Sequence, residues 1–301
     1  MSYDLFFYRD TSQPQITRSK FLKYFQGRAH YQVKNSQAWY ENEDTGVYFS
    51  FDFAETEEEE GGTKSSVAGS VSFNMNYNRP HIFGLEAEPE VSAFVKSFHV
   101  LVSDPQNDGI GEGAYTPEGF LRGWNAGNRF GCQAILAMEN APDVHVLPAS
   151  LIESSWRWNF NRNRLAEKLE QDLIVGFVPR IMFIRHQGKI ARFVVWTDSV
   201  VTVLPPVDII LVNRTISGKQ NDFALISWQE LHPELKKFKK VTEPPEHYLP
   251  PFDEVPKEIF DFCAKLKPVK EKLEGVRVDQ ILDQELIDEL RKGPKPKIRK
   301  S

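Results

Sequence analysis

Cysteine is scarce in this chain. Cys132 and Cys263 are the two present, too far apart in sequence for a disulfide framework or a paired zinc-binding spacing. Long apolar runs are missing too: no stretch reaches the roughly 18 apolar residues of a membrane-spanning helix. The opening Met-Ser-Tyr-Asp-Leu-Phe-Phe-Tyr-Arg-Asp is too short in its apolar part, and too acidic beside it, for a signal peptide. A cytoplasmic location is the expectation. Excess positive charge is lacking as well. The formal net charge of −5 gives no overall attraction to nucleic acid or to an anionic membrane, so neither is an expected partner. Catalytic signatures are also absent: there is no Gly-x-Ser-x-Gly, no His-Glu-x-x-His and no phosphate loop ending in Gly-Lys-Ser/Thr. None of the histidines stands three or four residues from another, as helix-borne metal ligands do, so no metal and no cofactor are expected.

Large apolar side chains are abundant. Hydrophobic residues make up 41% of the 301 positions and there are 22 phenylalanines, enough for a core that needs no covalent staple. Tyr3 to Tyr8 reads as a strand leading into a helix over Ile16 to Phe25, whose apolar positions are Phe21, Leu22 and Phe25. Ala38 to Asn42 and Val47 to Phe53 flank a turn ending in Gly46, and Val67 to Tyr77 alternates again. Helical spacing follows over Glu86 to Phe98. Thr116-Pro117-Glu118 opens a helix towards Met138 in which Gly123, Gly127 and Gly131 could force a break, and Ser150 opens another. Arg180 to Arg185 and Ile190 to Trp196 form a hairpin pattern, with further strands at Val200 to Leu204 and Val207 to Val212. The reading is α+β, with antiparallel sheet regions, packed helices and a helical C-terminal extension. A core spans residues 1–242, with two subdomains meeting near 148 and 149. A proline-rich linker follows over 243–256, then a helical segment over 257–292 and a basic tail over 293–301.

Several segments invite a chemical reading. Gly109-Ile110-Gly111-Glu112-Gly113-Ala114 has the letters of a dinucleotide fingerprint but the wrong setting, because Thr116-Pro117 caps the helix later and Glu112 repels phosphate. Asn74 to His81, with Glu86 beyond, is dense in polar side chains. Asn76, Arg79, His81 and Glu86 could line a pocket in which Arg79 clamps an anion and His81 or Glu86 moves a proton, or they could tie down a turn. Trp156 to Arg164 interleaves aromatics with three arginines, which suits a buried stripe with an Arg/Asn outer face. Five carboxylates crowd Glu55 to Glu60, a run that stays solvated.

Four landmarks carry a resemblance: Asp4-Leu5-Phe6-Phe7-Tyr8, Tyr48-Phe49-Ser50-Phe51, Asn76 through Glu86, and Leu204-Pro205-Pro206-Val207-Asp208. On these the chain resembles an uncharacterised bacterial protein family. In its acidic composition and lack of catalytic motifs it is similar to immunity proteins of toxin systems. That resemblance implies a protein-binding module, an inhibitor of a bacterial toxin, whose partner is a basic toxin domain. The acidic residues Glu57, Glu58, Glu59 and Glu60 with the aromatics Trp39 and Tyr40 would meet that partner, and their charge would speed encounter. The alternative is an enzyme or small-ligand binder using Asn76, Arg79, His81 and Glu86. A third use, capture through the C-terminal helices, implies that deleting residues 257–301 spares the core fold.

Overall fold

Alternation of aromatic and polar residues in the N-terminal half commits it to strands with one buried face. The computed structural model describes residues 1–9, 14–55, 69–106, 108–138, 144–216, 219–270 and 272–292. The chain divides into two units: Met1–Ala149 together with the chain from Val278 onward, and Ser150–Arg277. The fold is α+β with largely antiparallel sheets. No helix of the described residues is long and apolar enough to cross a membrane.

The first unit contains β1 (Ser2–Arg9), α1 (Arg18–Phe25), β2 (Tyr31–Lys34), β3 (Gln37–Asn42), β4 (Val47–Glu55), β5 (Gly69–Asn76), α2 (Ile82–Phe98), β6 (Val100–Ser103), β7 (Glu112–Gly113), α3 (Pro117–Leu136) and β8 (His145–Leu147). Seven strands form one antiparallel sheet in the order β2-β3-β4-β5-β1-β6-β7. Tyr3, Leu5 and Phe7, Phe49, Phe51 and Phe53, and Val71, Phe73 and Met75 point to one buried face. There Phe25 of α1 lies 5.0 Å from Phe51, Phe94 of α2 lies 4.9 Å from Phe7, and Phe120 of α3 lies 5.2 Å from Tyr3. Tilted and edge contacts of this kind add about 0.5–1.5 kcal/mol each to the burial of area. Helix α3 opens as its sequence implies, with Thr116 Oγ1 accepting from the Gly119 amide at 3.1 Å. The helix runs unbroken past Gly123, Gly127 and Gly131. A Cβ at Gly127 would stand 2.0 Å from the Tyr77 hydroxyl, so the missing side chain is what lets α3 lie against that ring.

The second unit contains α4 (Ala149–Gln171), β9 (Met182–His186), β10 (Lys189–Thr197), β11 (Ile209–Ile216), β12 (Lys219–Ser227), α5 (Trp228–Leu231), β13 (Lys239–Val241), β14 (His247–Leu249), α6 (Lys257–Lys265) and β15 (Glu274–Val276). Its five-stranded sheet runs β12-β11-β10-β9-β15, and only the β10–β11 pair is parallel. The expected strand at Val200 to Leu204 is instead the crossing between those parallel strands. Val203 and Leu204 are buried there, but the segment makes only isolated bridges, Thr202 to Phe177 and Leu204 to Tyr248.

Two expectations about the C-terminal third are corrected. Residues 243–256 are not a free linker: His247, Tyr248 and Leu249 form β14, pair with β13 and are buried. The prolines flank this short strand, where no ladder amide is needed from them. Nor do residues 257–292 form one helical segment. Helix α6 places Cys263 in the core of the second unit, whereas β16 (Ile281–Asp283) and α7 (Gln284–Lys292) belong to the first. There β16 pairs in parallel with β8, and Leu282 and Ile287 pack on Cys132 of α3. The tail over 293–301 lies outside the described residues.

Candidate functional site

The polar residues after β5 are held by partners within the first unit. The Arg79 guanidinium donates to Tyr48 Oη from Nε at 3.0 Å and from Nη2 at 2.7 Å, and Nη1 donates to the Asn78 carbonyl at 2.9 Å. Tyr48 in turn donates to Asp279 at 3.1 Å. Burial raises the Tyr48 phenol above its ordinary value, while Arg79 pulls it back. His81 donates from Nδ1 to Asp283 at 2.6 Å, and its backbone amide donates to the same carboxylate at 2.9 Å. Helix α2 has no side-chain cap of its own, so Asp283 supplies one, meeting an otherwise orphaned amide and the positive end of the helix dipole. Glu86 is 3% exposed. Its Oε1 accepts from Tyr40 Oη at 2.8 Å, Asn42 Nδ2 at 2.8 Å and Thr45 Oγ1 at 3.0 Å. It therefore anchors the β3–β4 turn to α2 rather than facing a pocket. Asn76 is exposed on the opposite side of its strand. Arg79, His81 and Glu86 thus act as ties, which favours the turn-fixing one of the two readings that their sequence left open.

The expected docking residues separate as well. Tyr40 is buried against Phe49, with ring centroids 4.3 Å apart, and its phenol is pushed upward by burial and by Glu86. This corrects its expected place on a partner surface. Trp39, the next residue, points to the other face of the sheet and stacks on Tyr48 at 5.6 Å. Glu57, Glu58, Glu59 and Glu60 lie outside the described residues.

That other face carries a feature that the linear sequence disguised. Cross-strand register places Gln37, Asp52, Ser72, Phe6, Ser103 and Glu112 in one row across β3, β4, β5, β1, β6 and β7. A second row runs Trp39, Ser50, Asn74 and Asp4. Every carboxylate in these rows is oriented by a neutral donor. Asp52 accepts from Gln37 at 2.7 Å and Ser50 at 2.7 Å, Asp4 from Asn74 at 2.5 Å and Ser2 at 2.8 Å, and Glu112 from Ser103 at 2.5 Å. Beyond them, Glu41 accepts from Trp39 Nε1 at 3.1 Å. None of the four forms an ion pair with a described residue, and Lys34 at the β2 edge is the one described cation at a strand position of this face. Phe6 is 48% exposed and Tyr8 39% exposed on the same side. The polar half of each alternation was visible in sequence, but strand order is what turns scattered acids into a surface.

The Gly109 to Ala114 segment wraps a protein carboxylate. Asp104 is buried and accepts from Tyr3 Oη at 3.1 Å and from the Ile110 amide at 3.0 Å. Among the described residues no three His, Cys, Asp or Glu side chains gather as ligands for a metal ion. No protein-family model, no curated protein and no solved structure matches this chain.

Proposed function

We propose that this chain is a protein-binding module that docks a basic partner on the outer face of its seven-stranded sheet, in the manner of an immunity protein inhibiting a toxin. The observation that carries the reading is the un-neutralised charge of Asp4, Glu41, Asp52 and Glu112, each held in place by a neutral donor. Carboxylates fixed on a sheet lose little entropy when a cation arrives, and Phe6, Tyr8 and Trp39 supply apolar anchors between them. Negative charge of this kind steers a basic partner and accelerates encounter. In sequence the acidic run Glu55 to Glu60 begins on the last residue of β4, the strand that carries Asp52, so it adds charge of the same sign.

The test is paired capture from cell extract with the wild-type chain and with an Asp4→Lys/Asp52→Lys variant. The expected result is a stoichiometric basic protein retained by the first and lost by the second, with the variant melting near the wild-type temperature. Once purified, that partner should associate at least about tenfold more slowly with the variant at low salt. Equal retention by both chains would refute the assignment of this face.

A further inference from the structure

The second unit has a cleft of about 760 Å³ between α4 and the β13–β14 pair. Its charge is opposite to that of the chain as a whole. Arg157, Arg164, Lys168, Lys239 and Lys240 line it, against two carboxylates, Asp172 and Glu243. Arg157, Asn161, Arg164 and Lys168 recur at helical spacing, so α4 offers one polar stripe to the cleft while Trp158 and Leu169 enter the core behind it. Arg157 is paired with Glu153 at 2.5 Å and Lys240 with Glu246 at 3.0 Å. Arg164, Lys168 and Lys239 form no ion pair with a described residue. Leu165, Leu169 and Leu249 give the cleft an apolar wall.

A second feature points to a ligand. His247 lines the same cleft and is only 5% exposed. Its Nδ1 lies 2.7 Å from the Pro245 carbonyl, which can only accept, so Nδ1 carries the proton. Burial lowers the imidazole below its ordinary value, and the ring is neutral at physiological pH. Nε2 therefore presents a lone pair, and no described residue donates to it. An unpaired acceptor lining the cleft beside unpaired cations suits a molecule that brings both an anion and a hydroxyl.

We propose that this cleft binds a small organic phosphate bearing a free hydroxyl: Arg164, Lys168 and Lys239 hold the phosphate dianion, and His247 Nε2 accepts from the hydroxyl. The volume lies within the ordinary range of small-ligand sites, roughly 300–1,000 Å³. A dianion matches an excess of cations drawn from two elements better than a single carboxylate does. An extended polyanion would need a charged track beyond the cleft, and the next aromatic on α4, Phe160, is not part of its lining.

The experiment is calorimetric titration of the full chain with ribose 5-phosphate, ribose, inorganic phosphate, a short RNA oligomer and polyglutamate. Ribose 5-phosphate is expected to saturate with a Kd of about 1 mM or tighter, at least about tenfold below that of ribose. Arg164 and Lys168 are exposed, so Arg164→Ala/Lys168→Ala should fold normally, and it should weaken ribose 5-phosphate at least about tenfold. His247→Asn should weaken ribose 5-phosphate while leaving inorganic phosphate unchanged. If His247→Asn melts early, the double variant alone decides. Absence of saturation by ribose 5-phosphate, binding unaltered in the double variant, or tighter binding of RNA or polyglutamate would each overturn the proposal.

Discussion

Asp283 does two things with one side chain: it caps the amide that begins α2 and fixes the His81 ring. Asp283→Ala should therefore cost about 1–3 kcal/mol in urea unfolding, while Asp283→Asn, which keeps an acceptor, should recover part of the loss. An alanine variant as stable as wild type would show that the tie is idle. Neither role could be read from sequence, because His81 and Asp283 are 202 positions apart. Glu86 was ambiguous for a related reason. A carboxylate among Asn and Arg reads either as a reactive group or as a tie, and it is the donors Tyr40 and Asn42 of β3 and Thr45 of the following turn that make it a tie. The thiols give a pH prediction. Burial pushes Cys132 up to about 11 and Cys263 up to about 12, and it raises the phenols of Tyr3, Tyr31 and Tyr115 as well. These acids stay neutral in the fold but ionise more readily when unfolded. Their contribution to stability is thus whole below about pH 9 and falls as pH rises beyond it. Urea midpoints at pH 8 and pH 10.5 should show the decline; a higher midpoint at the alkaline pH would contradict it.

The elements that sequence made legible are those whose signal is local. Strand β4 announced itself by Phe49, Phe51 and Phe53, and α3 by Thr116-Pro117 at its start. What was not legible depended on neighbours. The Val200 to Leu204 segment has the composition of a strand but serves as a crossing, and Gly127 and Gly131 of α3 accommodate Tyr77 instead of ending the helix. At Gly127 two effects oppose each other. Alanine would favour the helix by about 1 kcal/mol, but its Cβ would collide with the Tyr77 ring, and overpacking costs about 1–3 kcal/mol. Because Tyr77 is itself buried beside Trp124, at 5.5 Å between centroids, it has little room to yield. Gly127→Ala should lower the melting temperature; an increase would mean that Tyr77 swings away freely.

Across the whole molecule, the chain after Val278 is a fastener of the first unit. Its carboxylates bond outward in succession: Asp279 to Tyr48, Asp283 to His81, Glu285 to the Ala149 amide and Glu289 to Arg129. Truncation after Arg277 should uncover Cys132, which then reacts with a thiol reagent at pH 8 while Cys263 stays protected in the second unit. Protection of both thiols would show that the first unit keeps its core without this segment. The same packing, with Cys263 of α6 in the core of the second unit, argues against removing residues 257–301 without harm to the core. The proposed docking surface was half legible. Acidic character and Trp39 were apparent from sequence, but the run of glutamates drew attention away from Asp4, Asp52 and Glu112, which only strand pairing aligns. Hydroxyl-radical footprinting of the chain with and without its captured partner examines that surface directly. Phe6, Tyr8 and Trp39 should lose reactivity in the complex, while Phe130, 64% exposed on α3, and Phe160, 50% exposed on α4, keep theirs. Unchanged oxidation of Phe6, Tyr8 and Trp39 in a saturated complex would place the partner elsewhere and contradict docking on the acidic face.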